Sequence, residues 1–167
     1  MRAKLYVELR DRHGAVLQTR AAHNTVLQTG GRLIADLFTG AGGPITHMAV
    51  GTEDADPTSV TVAALGNDDG QGGPGITGDT AAPIPPDAFA ITVDEPRSRV
   101  LVKVRATLPD AAGVGTLCEA ALVSRQGGTD VLYNRVVFTP LTKGDDHDLT
   151  LFWEIEFPFG DLQWLAR

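Results

Sequence analysis

Cysteine is nearly missing from this chain. Cys118 is the only one, so no intrachain disulfide is possible and packing must hold the fold. Its setting, Leu117-Cys-Glu-Ala-Ala-Leu-Val123, reads as a small buried apolar residue rather than a catalytic thiol or a metal ligand. Large aromatics are few: Tyr6, Tyr133, Trp153 and Trp164 are the only Tyr and Trp residues. A sugar-binding sandwich, the alternative reading, needs an exposed aromatic platform, and these residues make a poor one. Basic side chains are also short, 14 Lys and Arg against 21 Asp and Glu, for a formal net charge of −7. No Lys/Arg run is present, which argues against non-specific binding to nucleic acid or anionic membranes. No segment approaches the ~20 apolar residues of a membrane span. The start, Met-Arg-Ala-Lys-Leu-Tyr-Val-Glu, has no apolar signal core, so synthesis and folding in the cytoplasm are expected.

What is abundant is turn chemistry, with 19 Gly and 10 Pro among 167 residues. That length fits one domain with a real core. Leu149 to Phe157 is the clearest strand. Leu149, Leu151, Trp153, Ile155 and Phe157 fall on one face at period two, with Thr150, Glu154 and Glu156 opposite. Trp153 is therefore expected in the core. Val131 to Phe138 is rich in β-branched and aromatic residues, and the turn-like 144–148 stretch suggests that it forms a hairpin with the later run. Leu5-Tyr-Val-Glu-Leu and Val16-Leu-Gln-Thr flank Asp11-Arg-His-Gly14 and read as another hairpin. Further strands are expected at 45–50, 89–93, 99–108 and 117–124, with a turn at Gln126-Gly-Gly-Thr-Asp130 into the 131–138 run. Val60 to Leu65 is a short strand or a helical turn.

One helix is expected to open at Asn24 or Thr25, where Thr25-Val-Leu-Gln28 has the form of a capping box. Val26, Leu27, Leu33, Ile34, Leu37 and Phe38 would line its apolar face, with Gly40 as the C-cap. Gly30 and Gly31 on that face signify either close approach to the sheet or a helix starting at Thr29. The Gly- and Pro-rich 66–87 segment shows no apolar period and reads as a solvated loop that supplies almost no core. The fold class is mainly β: a two-sheet β-sandwich of about eight strands with one α-helix in the N-terminal half. Residues 1–157 form the domain.

No motif declares a reaction. Gly70-Gln-Gly-Gly-Pro-Gly75 matches G-x-G-x-x-G in letters, but it lacks the strand before and helix after that a dinucleotide site requires. Asp145-Asp-His-Asp148 and Asn67-Asp-Asp69 are acidic clusters best explained as turns. His13, His23, His47 and His147 are scattered, and Ser59, Ser98 and Ser124 have no nucleophile-elbow context. The expectation is a non-enzyme with no catalytic residue, cofactor or metal.

Three stretches together resemble small structural proteins of tailed phages and phage-tail-like contractile injection systems. The first is His23-Asn-Thr-Val-Leu-Gln-Thr-Gly-Gly-Arg-Leu-Ile-Ala-Asp-Leu-Phe-Thr-Gly40. The second is Ile45-Thr-His-Met-Ala-Val-Gly-Thr52, followed by Asp56-Pro-Thr and Ala64-Leu. The third runs from Cys118-Glu-Ala-Ala-Leu-Val through Leu132-Tyr-Asn-Arg-Val-Val-Phe-Thr-Pro-Leu-Thr-Lys143 to Leu149-Thr-Leu-Phe-Trp-Glu-Ile. The resemblance covers most of residues 23–157, and the long 66–87 loop departs from it. It implies a structural subunit at a baseplate, fibre-attachment, collar or cap position. Its partners would be other copies of itself and neighbouring particle proteins, and it would end in a phage or injection particle. The 158–167 tail adds candidate interface residues: Phe159, Leu162, Trp164 and Leu165 are large apolar groups beyond the last strand, which Pro158 is expected to stop.

Overall fold

The computed structural model describes residues 2–160. Their elements, in chain order, are β1 (Arg2–Asp11), β2 (Val16–His23), β3 (Thr25–Val26), α1 (Gln28–Phe38), β4 (His47–Gly51), β5 (Ile76–Thr77), β6 (Ala81–Pro83), β7 (Phe89–Asp94), β8 (Arg99–Leu108), β9 (Val114–Gln126), β10 (Thr129–Leu132), β11 (Asn134–Lys143) and β12 (His147–Pro158). The protein is mainly β. One antiparallel sheet has the order β2-β1-β12-β8-β7, and the other β3-β11-β9-β4-β6 with β5 and β10 also paired to β9.

β12 is the central strand of the five-stranded sheet. Trp153 lies opposite Leu5 on one side and Val104 on the other. Leu149, Leu151, Trp153 and Ile155 are all buried, as their period requires. They share one core with Leu5, Val7, Leu9, Met48, Val50, Leu117, Ala120, Leu122, Val136 and Leu141. Each such Val, Leu, Ile or Met side chain contributes about 1.5–3 kcal/mol relative to exposure.

The strand count is about twelve, not eight. The strands missed from sequence are short, β3, β5, β6 and β10, with two to four residues each. No period can establish itself over such lengths. The expected hairpin between the 131–138 and 149–157 runs is also corrected. β11 pairs with β9 and β3, whereas β12 pairs with β1 and β8. The link at 144–146 therefore carries the chain from one sheet to the other. The turn after β9 is as expected. Gly127 and Gly128 both have positive φ, the requirement of a two-residue type I′ connection.

α1 starts later than the capping-box pattern suggested. Its N-cap is Leu27, with no side-chain cap bond. Thr25 is in β3 instead, with its hydroxyl 3.4 Å from the Pro57 carbonyl. Both explanations for the glycines hold in part. The helix does begin near Thr29, and a Cβ on Gly30 would lie 1.8 Å from the Tyr133 carbonyl oxygen, whereas one on Gly31 would meet nothing. Gly30 thus lets the helix touch the backbone between β10 and β11. The C-cap is Thr39, and Gly40 follows it at φ +71°. Leu37 and Phe38 do not line the core: Phe38 is 90% exposed.

The 66–87 segment is not a core-free loop. It contains β5, β6 and a 3-10 turn at Pro86–Ala88. Ile76, Ala82 and Ile84 are buried in the main core. β6 adds an edge strand to β4, and β5 pairs with the start of β9. Single apolar residues separated by turns carry no periodic signal, although each one fills core volume. Residues 60–65 form neither strand nor helix, yet Val62 and Leu65 pack on Leu27, Ala121, Val123 and Leu132.

Candidate functional site

The outer face of the β9–β11 pair is where the chain's polar chemistry converges. Residues 117–124 are all buried because both faces of β9 are covered. Ala120 and Leu122 face the sandwich interior, while Ala121 and Val123 pack under the 60–65 stretch. Glu119 shares the outer face and is fully buried. Arg135 on β11 is equally buried, and its Nε donates to Glu119 Oε2 at 2.6 Å.

Each partner then reaches into the loop above. Glu119 Oε1 accepts the N–H of Gly66 at 2.6 Å and of Glu53 at 3.3 Å. Arg135 donates to the carbonyls of Glu53, Ala55 and Asp56 at 2.9, 3.2 and 3.0 Å. The ion pair is therefore a clamp that fastens residues 53–66 to the sheet. Gly51 admits the carboxylate, since a Cβ there would sit 2.3 Å from Glu119 Oε1. A buried pair with its remaining donors and acceptors satisfied fixes one arrangement of the backbone around it.

The other polar residues of this region act in the same way. Asn134 is buried and its side-chain oxygen accepts the Leu122 N–H at 2.7 Å. Tyr133 beside it is buried too, and burial pushes its phenol up to about 12. Lys143, at the end of β11, donates to the carbonyls of Pro109 and Asp110 at 2.9 and 2.7 Å. Burial pulls its ammonium below the usual lysine range, against the opposing influence of Asp148 and Asp110. Asn134, Arg135 and Lys143 were visible in sequence as a motif, but their burial was not. Glu119 stands in the resembling stretch Cys118-Glu-Ala-Ala-Leu-Val but was assigned no role. Its only sequence signal is a lone carboxylate inside an apolar strand, 16 residues before its partner.

The motifs weighed for chemistry separate in space. Asp68 and Asp69 of the acidic 67–69 turn accept loop N–H groups from Gly70, Gln71 and Gly73, and Asn67 accepts that of Ile76. The Gly73 and Gln71 bonds hold the Asp69 carboxyl below its usual range. Gly70 to Gly75 lies in this same turn, without a preceding strand or following helix. His147 accepts the Gly144 N–H through Nδ1 at 3.0 Å and faces Asp146 at 3.3 Å. His13 is in the β1–β2 turn, His23 ends β2 and His47 starts β4. His47 is pulled below its usual range by burial first and by Arg125 second. Ser98 sits in a turn at φ +49°, Ser59 approaches Thr61, and Ser124 accepts from Gln126. Cys118 is buried, which raises its thiol to about 11. Among the described residues no group of three or more His, Cys, Asp or Glu is placed to hold a metal ion.

Of the candidate interface residues, Phe159 is 40% exposed and its N–H donates to the Ser98 carbonyl at 2.9 Å. Leu162, Trp164 and Leu165 lie outside the described residues. β12 continues through Pro158, which pairs with Arg99, one residue further than expected. No helix among the described residues is long and apolar enough to cross a membrane. No protein-family model, curated protein or solved structure matches the chain.

Proposed function

We propose that the protein is a non-catalytic structural subunit that works by assembly, of the kind built into phage tails or contractile injection particles. The observation that carries this reading is how the polar motif residues are employed. Glu119, Asn134, Arg135 and Lys143 are buried and bonded to backbone or to each other. They fix the framework and its loops rather than line a cleft. Large apolar groups, by contrast, stand outside the core. Leu37 and Phe38 project at the end of α1, Ile91 and Val93 on β7, and Phe159 after β12. A rigid scaffold with apolar surface at its margins suits docking into a repeated array. The ligand-binding alternative is less favoured, because Trp153 and Tyr133 are core residues.

The particle position falls among baseplate, fibre attachment, collar and cap, with copies of the chain and neighbouring particle proteins as partners. The test is a chain ending at Gly160, compared with the full chain by light scattering and thermal melting. Loss of assembly with an unchanged melt supports docking through Leu162, Trp164 and Leu165. A lowered melt with assembly intact would place those residues in their own domain's core.

A further inference from the structure

Strand edges differ sharply in how they are guarded. An edge strand presents unpaired N–H and C=O groups, and proteins blunt such edges with shortness, proline, charge, bulges or a covering segment. In the second sheet β3 has two residues and β6 has three, ending in Pro83. β10 is short and carries Asp130 in an ion pair with Arg125. At one edge of the five-stranded sheet, β2 is bent by a bulge between Leu9 and Arg10 of its partner. Arg20 of β2 also reaches across to the Thr139 and Pro140 carbonyls of β11.

β7, at the opposite edge, carries none of these devices among the described residues. It spans six residues, Phe-Ala-Ile-Thr-Val-Asp, and pairs without a register shift along β8. Its charge is confined to the last residue, Asp94, which Arg97 and Arg99 neutralise. Ile91 is 70% exposed and Val93 58%. Both lie on the core-facing side of the sheet. Ile91 continues the row Val102–Ile155–Ala3, and Val93 the row Val100–Phe157. The five-stranded sheet thus overhangs its partner sheet, and its apolar face runs on past the core to an edge that no other described residue covers.

We infer that β7 is a self-association edge, pairing antiparallel with β7 of a second copy about a two-fold axis at Ile91. The sequence is self-complementary in that register. Phe89, Ile91 and Val93 face Val93, Ile91 and Phe89 of the second copy, and Ala90 faces Thr92 on the other side. Cross-strand apolar pairs of this type stabilise a ladder, and like charges opposite one another oppose it. Asp94 falls opposite Ala88, so no such charge pair arises within β7. The result is a continuous ten-stranded sheet with one apolar face spanning both copies. The 3-10 turns at Pro86–Ala88 and Glu95–Arg97 limit the ladder to the strand itself. An interface below roughly 1,000 Å² gives weak pairing in solution, strengthened where further contacts multiply it. This inference deepens the assembly reading and relies on it for its purpose, while its evidence is the edge alone.

The experiment is sedimentation equilibrium of the full chain across the micromolar range, with Ile91→Lys and Ile91→Cys variants. Lys at an exposed site leaves the melt unchanged and weakens dimerisation by at least about tenfold, since two ammonium groups meet at the axis. Ile91→Cys should form a disulfide-linked dimer on mild oxidation, and Thr92→Cys should not, because Thr92 does not face itself. Dimerisation unaffected by Ile91→Lys, with no crosslink at residue 91, overturns the β7 edge but leaves assembly through another surface standing. A full chain that stays monomeric, and dimerises only when residues 161–167 are removed, also overturns it. Its own C-terminal segment would then be the occupant of this face. A full chain monomeric in both forms removes the edge, and particle co-sedimentation then decides the assembly reading separately.

Discussion

Replacing Arg135 by Met tests the clamp most severely. The apolar stem is kept while four hydrogen bonds disappear, one to Glu119 and three to the carbonyls of Glu53, Ala55 and Asp56. Glu119 then remains as a fully buried carboxylate without its counter-charge. Breaking a buried pair from one side costs about 3–5 kcal/mol. The N–H groups of Gly66 and Glu53 still face Glu119, which places the expected loss near 3 kcal/mol, the lower end of that range. For a chain of this size each kcal/mol lowers Tm by roughly 2–4 °C, so the melt should fall by roughly 6–12 °C. Urea titration supplies the free energy directly. Glu119→Gln combined with Arg135→Met should be less destabilising than the sum of the two single changes, with a coupling of about 0.5–3 kcal/mol. A single variant within about 1 kcal/mol of the parent, or strict additivity, would refute the clamp, because surface-like pairs behave that way.

Gly30→Ala should cost about 1–3 kcal/mol as an overpacking change, since the methyl meets the Tyr133 carbonyl; Gly31→Ala, in open space, should be neutral or stabilising in the same denaturant titration. Replacing residues 66–87 by a short linker should lower the melt markedly, because Ile76, Ala82 and Ile84 leave the core; Ile84→Ala alone should cost about 2–5 kcal/mol. Cys118 should resist a thiol reagent at mildly alkaline pH in the folded protein and react at once in denaturant, and rapid native labelling would contradict its burial and raised pKa. Asp94 is held low chiefly by its hydrogen bond from Arg99, and Asp130 chiefly by Arg125. Their folded pKa values lie below the unfolded value of 3.8. Their contribution is therefore complete above that pH and is lost as the pH falls through the folded values, a decline that melts in acid should show and that Asp94→Asn should reduce.

Long period-two runs carried the sequence-level reading. β8 and β12 alternate along most of their length, and β12 ends within one residue of the expected place, whereas β9 is covered on both faces and β11 breaks register midway. Pairing was not legible, because adjacency in sequence suggested a β11–β12 hairpin whereas shape places the two strands in separate sheets. The helix start was misread for a different reason. Thr25 and Gln28 satisfy a local capping pattern, but tertiary pairing takes Thr25 into β3 opposite Arg135. The clamp was half legible. Arg135 was seen within a motif, but its partner Glu119 is 16 residues earlier and only the β9–β11 register brings the two together. Ile91 and Val93 read as ordinary strand residues, since periodicity cannot tell a covered apolar face from an overhanging one.

The proposed role is assembly into a larger particle. Fractionating producing cells by particle sedimentation, and following this chain by quantitative mass spectrometry, tests that claim most directly. A structural subunit should co-sediment with large particles in a fixed number of copies, and lose this when the exposed apolar groups are replaced by charged ones and the fold is kept. Recovery of the wild-type chain entirely among small soluble species, with particles assembling normally in its absence, would contradict it.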